Sequence, residues 1–94
     1  HEATHVCLVA ERAFLRTMEG GCSIPSFALA SLNADTVQLH GGLISLDGQQ
    51  LLEEKQAAPV AEAEALGIRV AEAVLARGGR QILDDIRQQR QQEG

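Results

Sequence analysis

Cys22 is the residue of this chain whose chemistry and neighbours most favour a functional role. It lies between the glycine pair Gly20-Gly21 and the dipeptide Ile24-Pro25. The glycines leave the thiol uncovered, and the proline keeps the residue before it extended, so we expect a tight loop after a helix. The partial negative charge at a helix C-terminus disfavours a thiolate there. Covalent attachment, which needs only access and one reaction, is therefore favoured over catalysis by this thiol.

The alternative for Cys22 is a buried, unreactive thiol, which is the more frequent state of an arbitrary cysteine. The other candidates for chemistry are weaker. His1, His5 and Cys7 do not have the paired spacing of structural zinc ligands, so we expect no metal site. His40 stands in a strand pattern, where a solvated or hydrogen-bonded role is expected. No Ser-His-Asp or Cys-His arrangement can be assembled from the sequence.

The residues before Cys22 form a helical pattern. From Thr4 to Met18, apolar side chains recur at three- and four-residue spacing, which predicts an amphipathic helix. Leu8 and Leu15 lie on the side opposite this stripe. We interpret them as a second apolar strip that docks against chain absent here. The alternative is two ordinarily exposed leucines.

Three strand-like runs follow Cys22. The first extends from Phe27 to Leu32, and the third covers Gln50 to Gln56 as an edge strand. In the second run Val37 and Leu39 occupy odd positions, whereas Ile44 and Leu46 occupy even ones. A β-bulge at Gly41-Gly42 would reset the alternation in this way. Asp47-Gly48 is a hairpin turn signal, so the runs predict an antiparallel three-stranded meander.

Two helices complete the predicted fold. Pro59 suits the entry of a helix that continues to Gly78-Gly79, with Gly67 in its interior to permit close packing. A short third helix follows, and residues 88–94 are expected to fray. The fold class is α+β, a three-stranded antiparallel sheet with helices packed on one face, in a single domain spanning 1–94. The other face of the sheet is left for solvent or a partner.

Composition excludes several classes of function. The chain has 94 residues, a formal charge of −5 and two phenylalanines, which disfavours nucleic acid as a partner. No apolar run is long enough to cross a bilayer, so no membrane association is expected. Two cysteines do not make a secreted disulfide scaffold, and we expect free thiols in the cytoplasm. Because the chain begins at His1, we also expect a piece of a longer protein or a processed product.

Three segments resemble one enzyme family. The run ERAFLRTMEGGCSIP, Glu11 to Pro25, closely resembles the segment around the cofactor-bearing cysteine of porphobilinogen deaminase, also called hydroxymethylbilane synthase. GGLISLDG and ALGIRVAEAVLARGGRQIL resemble the strand, hairpin and helix of the third domain of that family, in the same order. The resemblance covers nearly the whole chain, and its EGGC core followed by a proline is specific.

This resemblance implies the C-terminal domain of a three-domain transferase of haem and tetrapyrrole biosynthesis. The family joins four porphobilinogen units and releases ammonia at each step. Its dipyrromethane primer is held by a thioether to the cysteine that aligns with Cys22, with Gly21 and Ser23 as the adjacent loop residues. The family's catalytic aspartate and carboxylate-binding arginines lie in the first two domains, so no catalytic residue is expected in this fragment.

The implied partners are the missing N-terminal and central domains of the same enzyme and the porphobilinogen-derived oligopyrrole. Alone, the fragment is expected to be inactive. Two other functions stay open at this point. One is a non-enzymatic interaction module whose exposed sheet face binds protein while Cys22 is merely structural. The other is a redox-sensing thiol, which gains little support because no second cysteine is close in sequence.

Overall fold

The computed structural model describes residues 2–18, 26–45 and 47–93. Its elements occur in the order that the sequence predicts, one helix, three strands and two further helices. A single 3₁₀ turn precedes the second helix, and a wide π-type turn follows it. The bounds are α1 Glu2–Thr17, β1 Ser26–Asn33, β2 Thr36–Ile44, β3 Leu51–Pro59, the 3₁₀ turn Val60–Glu62, α2 Ala63–Val74, the π-type turn Leu75–Gly79 and α3 Arg80–Glu93.

The three strands form an antiparallel meander in the order β1-β2-β3. A two-residue turn joins β1 to β2, with Ala34 at φ +57°. The turn between β2 and β3 contains Asp47 and Gly48 as predicted, and Gly48 has φ +73°. In this turn the Ser45 hydroxyl and the Gln49 N–H both donate to the Asp47 carboxylate. These hydrogen bonds lower the pKa of Asp47, and the one from Ser45 has the larger effect. The edge strand β3 is confirmed and continues three residues beyond the predicted Gln56.

The predicted β-bulge at Gly41-Gly42 is wrong. Both glycines pair in an unbroken register, with Gly42 opposite Phe27 on β1 and Glu53 on β3. The odd positions of β2 therefore face the helices along its whole length, and Leu43 belongs to the core. Ile44, predicted on the inward face, is instead exposed, and Leu46 lies outside the described residues.

The glycine pair has a different physical role. A Cβ built on Gly41 would lie 2.4 Å from Cε2 of Phe14, and one on Gly42 would lie 2.4 Å from Cε1 of Phe27. Each distance is far below van der Waals contact. The two glycines thus leave room for one aromatic ring on each face of the central strand.

The helices cover one face of the sheet, which confirms the predicted α+β class. The side chains that pack between the two layers are apolar, and the largest of them are completely buried: Phe14, Met18, Val37, Leu39, Leu43, Leu66, Val70 and Val74. No buried polar or charged side chain occurs among the described residues. The core is therefore held by packing and apolar burial.

Gly67 lies where α2 crosses α1. A Cβ at this position would be 2.4 Å from the backbone oxygen of Ala10 and 2.6 Å from Cβ of Ala13. Since the nearest atom belongs to the backbone, no side-chain rotation could relieve the clash. The interpretation of Gly67 as a close-packing residue is confirmed.

The break between α2 and α3 falls at Gly78, which has φ +120°. This agrees with the predicted helix end at Gly78-Gly79. The third helix is longer than expected and extends to Glu93, and it buries Ile82, Leu83 and Ile86. Fraying of 88–94 stays a prediction.

Within the described residues, no helix combines the length and the hydropathy that crossing a membrane requires.

We predict that Gly67→Ala destabilises the chain, although alanine is the better helix former by about 1 kcal/mol. The added methyl forces α1 and α2 apart, and overpacking of this kind costs about 1 to 3 kcal/mol. Urea unfolding measures the difference. Glu72→Ala, at an exposed position of the same helix, is the control and should change the free energy of unfolding by less than about 0.5 kcal/mol. A Gly67→Ala variant as stable as the parent would contradict the packing argument.

Candidate functional site

The predicted site residues Gly21, Cys22 and Ser23 lie outside the described residues, as does the predicted helix stop at Gly20-Gly21. The structure describes the elements on either side of this segment. Residue 18 follows α1, and Ser26 begins β1. The geometry of the site is therefore that of the frame to which residues 19–25 are attached.

The helix end of this frame is fixed in the core. The Met18 N–H donates to the Phe14 carbonyl oxygen at 3.0 Å, which continues the helical pattern. The Thr17 hydroxyl donates to the Ala13 carbonyl oxygen at 2.8 Å. The side chains of Met18 and Phe14 are both completely buried. The chain therefore leaves α1 from a point that packing holds in place.

The strand end of the frame is fixed because β1 pairs with β2 from its first residue, Ser26. Ser26 lies opposite Leu43, which is completely buried on the central strand. The next residue, Phe27, lies across the face of Gly42 and meets the His40 ring edge to face, with 5.2 Å between the ring centroids. From Ser26 onward the chain is therefore held by the sheet.

Two polar contacts join α1 to its neighbours. An Oε2 atom of Glu11 accepts the Ala30 N–H at 2.9 Å, which ties the helix to β1 in a partly buried position. Arg16 forms an ion pair with Glu64 on α2 at 3.0 Å, but both side chains are about two-thirds exposed. Because solvent screens exposed pairs, the Arg16 contact contributes little. The Glu11 contact is the more consequential of the two.

Sequence reasoning did not single out Glu11 as a functional residue. Its partner is a backbone N–H 19 positions further along the chain. No side-chain pattern marks such a pairing. Only the packing of α1 beside β1 brings the two atoms together.

The remaining candidates in the described part of the chain are Cys7, His5 and His40, and they do not converge on one another as metal ligands. Cys7 has a free thiol and is half-buried on α1. No group of three His, Cys, Asp or Glu residues converges there as metal ligands would. His40 Nε2 lies 2.6 Å from Glu53 Oε1, so its predicted hydrogen-bonded role is confirmed. The backbone carbonyl oxygen of Glu53 accepts a hydrogen bond from Nη1 of Arg77 at 2.6 Å.

Two apolar surfaces remain uncovered. Leu8 and Leu15 on α1 are 37% and 38% exposed, so the second strip exists as a surface feature and its docking role stays a prediction. On the sheet face away from the helices, Leu29 and Leu51 are 65% and 51% exposed. An open groove of about 640 Å³ crosses that face, and its lining includes Leu29, Ser31, Gln38, His40, Lys55 and Ala57.

Comparison with known proteins gives consistent matches. A family model described as "Porphobilinogen deaminase, C-terminal domain" matches residues 5–76. Proteins named porphobilinogen deaminase are similar over most of the chain. The one from Desulfosudis oleivorans is 49% identical over 89 residues, which cover 95% of this chain and 29% of that protein. The one from Synechococcus elongatus is 43% identical, covering 92% of this chain and 27% of that protein. The chain thus spans less than a third of the length of these relatives.

Proposed function

The chain belongs to the family of the porphobilinogen deaminase C-terminal domain, and we propose that it carries the dipyrromethane cofactor of such an enzyme on Cys22. In this proposal the Cys22 sulfur holds the cofactor through a thioether. Gly21 and Ser23 are the adjacent residues of the attachment loop. Bound there, the cofactor supplies the primer pyrrole on which porphobilinogen units are joined with release of ammonia.

The observation that carries the proposal is the frame around residues 19–25. Met18 is buried at one end, and Ser26 is paired with the central strand at the other. Fixed attachment points on both sides of residues 19–25 favour presentation of the Cys22 thiol at one place. The small residues Gly20 and Gly21 beside Cys22 leave space for two pyrrole rings.

The donor chemistry also suits the group. A cysteine sulfur forms a stable thioether, and once this bond exists the attachment has no need of an activated thiolate. Such an attachment requires that Cys22 remain reduced until it reacts. We therefore propose that the protein is located in the cytoplasm, where thiols are kept reduced.

We assign acid–base catalysis to other domains. The described residues include no buried polar or charged side chain, whereas a perturbed acid or base is normally enclosed. The chain spans less than a third of its relatives, which leaves room for N-terminal and central domains. These domains and the growing oligopyrrole are the proposed partners, and the isolated domain is proposed to be inactive.

A non-enzymatic interaction module is the second candidate. The exposed Leu29 in the lining of the open groove on the uncovered sheet face favours it, because an exposed apolar surface can mark a binding site. In that function Cys22 would bear no cofactor. The mass of the protein therefore separates the two candidates.

We predict that Cys22→Ser abolishes both the cofactor and the activity. The test protein is a full-length hybrid enzyme, in which this chain replaces the matching part of the Desulfosudis oleivorans relative. Intact-protein mass spectrometry should show a dipyrromethane adduct on the parent and none on Cys22→Ser. Formation of hydroxymethylbilane should fall by at least about a thousandfold, because the primer has no covalent attachment.

Cys7→Ala is the matched control, since it removes the other thiol of the chain and should retain both adduct and activity. Peptide mapping then locates the adduct. A parent enzyme without an adduct, or an adduct on Cys7, would disprove the assignment of Cys22.

The second prediction concerns the strip formed by Leu8 and Leu15. If it docks against another domain, Leu8→Lys with Leu15→Lys should destabilise the full-length hybrid by about 2 kcal/mol, because two partly apolar contacts are lost. The isolated chain should lose less stability than the hybrid, since more than a third of each side chain is already exposed there. Thermal unfolding of both proteins measures this difference.

A charge-matched control places lysines at Thr4 and His5, two other exposed positions of α1. It adds side chains of the same type without removing leucine. Equal stability of the Leu8/Leu15 variant and this control would identify the leucines as ordinary surface residues.

A further inference from the structure

The open face of the sheet, the one away from the helices, carries side chains whose order follows from the strand register. Residues two positions apart on a strand share a face, because strand side chains alternate. The two central rows of the open face, taken from β1 to β3, are Phe27, Gly42 and Glu53 in the first and Leu29, His40 and Lys55 in the second. Glu53 and Lys55 are therefore neighbours on β3, about 7 Å apart along the strand.

These two charged side chains differ in their partners. Glu53 Oε1 lies 2.6 Å from His40 Nε2. Lys55 is the only lysine of the chain, and it is exposed. Within residues 2–18, 26–45 and 47–93, no ion pair includes its ammonium group. The open face therefore presents a positive charge with which a carboxylate of another molecule can pair.

The rows on either side of the central two differ in size. At one end of the face Ile44 and Leu51 lie opposite each other and are 38% and 51% exposed. At the other end Gln38 lies opposite Ala57, and both line the open groove of about 640 Å³. The open face thus has an apolar ridge, formed by Ile44 and Leu51, at one end and a groove at the other.

A two-fold axis matches this face to itself. Two sheets can pack face to face with their strands nearly aligned, and a symmetric dimer uses the same surface patch of both copies. When the axis crosses the strands at the level of Gly41, each central row lies over the other central row of the second copy. Lys55 of each copy then faces Glu53 of the second copy. Two ion pairs related by symmetry result.

The same axis brings the ridge over the groove. Ile44 and Gln38 are three residues from Gly41 in opposite directions, so the axis places one over the other. Leu51 and Ala57 are related in the same way on β3. The apolar ridge of each copy therefore lies over the groove of the second copy.

An axis along the strands is the other symmetric arrangement of two such faces. It would place β1 over β3, with Leu29 over Lys55 and Phe27 over Glu53. Covering a charge with an apolar side chain removes water from it without supplying a partner, which costs free energy. The axis across the strands is therefore favoured.

We propose that the open face binds a second copy of this chain about the two-fold axis at Gly41. The inference goes beyond the proposed function and does not depend on what Cys22 carries. Three strands of eight or nine residues make a small face. Because such an area is at the lower end of specific interfaces, the dimer is weak, with a Kd on the order of 0.1 mM.

Charge reversal tests the two ion pairs. Glu53→Lys and Lys55→Glu each place like charges opposite each other in their own dimers, so sedimentation equilibrium should show a Kd at least about tenfold higher for each variant alone. An equimolar mixture of the two variants should bind to within about threefold of the parent, because unlike charges then meet at both positions. Glu72→Lys, an equal change of charge at an exposed position of α2, is the control and should leave the Kd unchanged.

Ala57→Met tests the fit of the ridge to the groove. Methionine fills the groove, so a dimer of the proposed geometry should weaken at least about fivefold. Association of apolar surfaces without a fixed geometry would instead become stronger, because the substitution adds exposed apolar area. The direction of the change in Kd therefore distinguishes the two.

The full-length hybrid enzyme identifies any other occupant of the open face. Acetic anhydride should acetylate Lys55 in the dilute hybrid and react less as dimers form, as read by peptide mass spectrometry. Protection of Lys55 at every concentration would mean that another domain covers the face, and the inference would be wrong. A parent chain that stays monomeric at about 1 mM, ten times the expected Kd, a mixture that binds no more tightly than its components, or a tighter dimer of Ala57→Met also overturns it. Absence of an adduct on Cys22 disproves the proposed function alone.

Discussion

The seating of the Phe14 ring on Gly41 is the contact on which the rest of this structure depends. The ring occupies the space that the Cβ of any residue other than glycine would fill at position 41. This allows α1 to approach the sheet closely, and Gly67 allows α2 to approach α1 in turn. The absence of a Cβ atom at Gly41 and at Gly67 thus sets the distance of α1 from the sheet and of α2 from α1. Because interiors are packed to crystal-like density, such spacing cannot be adjusted locally without cost elsewhere.

The close approach also determines what the frame can do. It brings Glu11 on α1 within hydrogen-bonding distance of Ala30 on β1, and it buries Met18 at the point where the chain leaves the helix. The residue proposed to react is then carried by a segment held at both ends, while the described domain offers no buried acid or base of its own. In the proposed function, attachment belongs to this domain and proton transfer to others.

Most of the fold could be predicted from the sequence because its signals are local. The helix α2 is an example: its buried residues, from Ala63 to Val74, recur at helical spacing, and this periodicity reports burial directly. The error at Gly41-Gly42 has a clear origin. A glycine pair in a strand indicates either a bulge or the close approach of another group, and the second cause depends on an aromatic ring 27 residues earlier. Contacts between distant backbone and side-chain atoms, such as Glu11 with Ala30, leave no local pattern. Recognition of Cys22 came instead from its immediate neighbours.

The free edges of the sheet show a complementary arrangement. On β1 the Ala30 N–H donates to the Glu11 carboxylate. On β3 the Glu53 carbonyl oxygen accepts from the Arg77 guanidinium. Each outer strand therefore has one of its backbone groups already bonded to a side chain of matching polarity. Exposed strand edges are the usual templates for aggregation, because a strand from a second molecule can extend the ladder. Each of these contacts leaves one backbone group fewer for pairing with a strand of another copy, and so lowers the tendency of the sheet to extend itself.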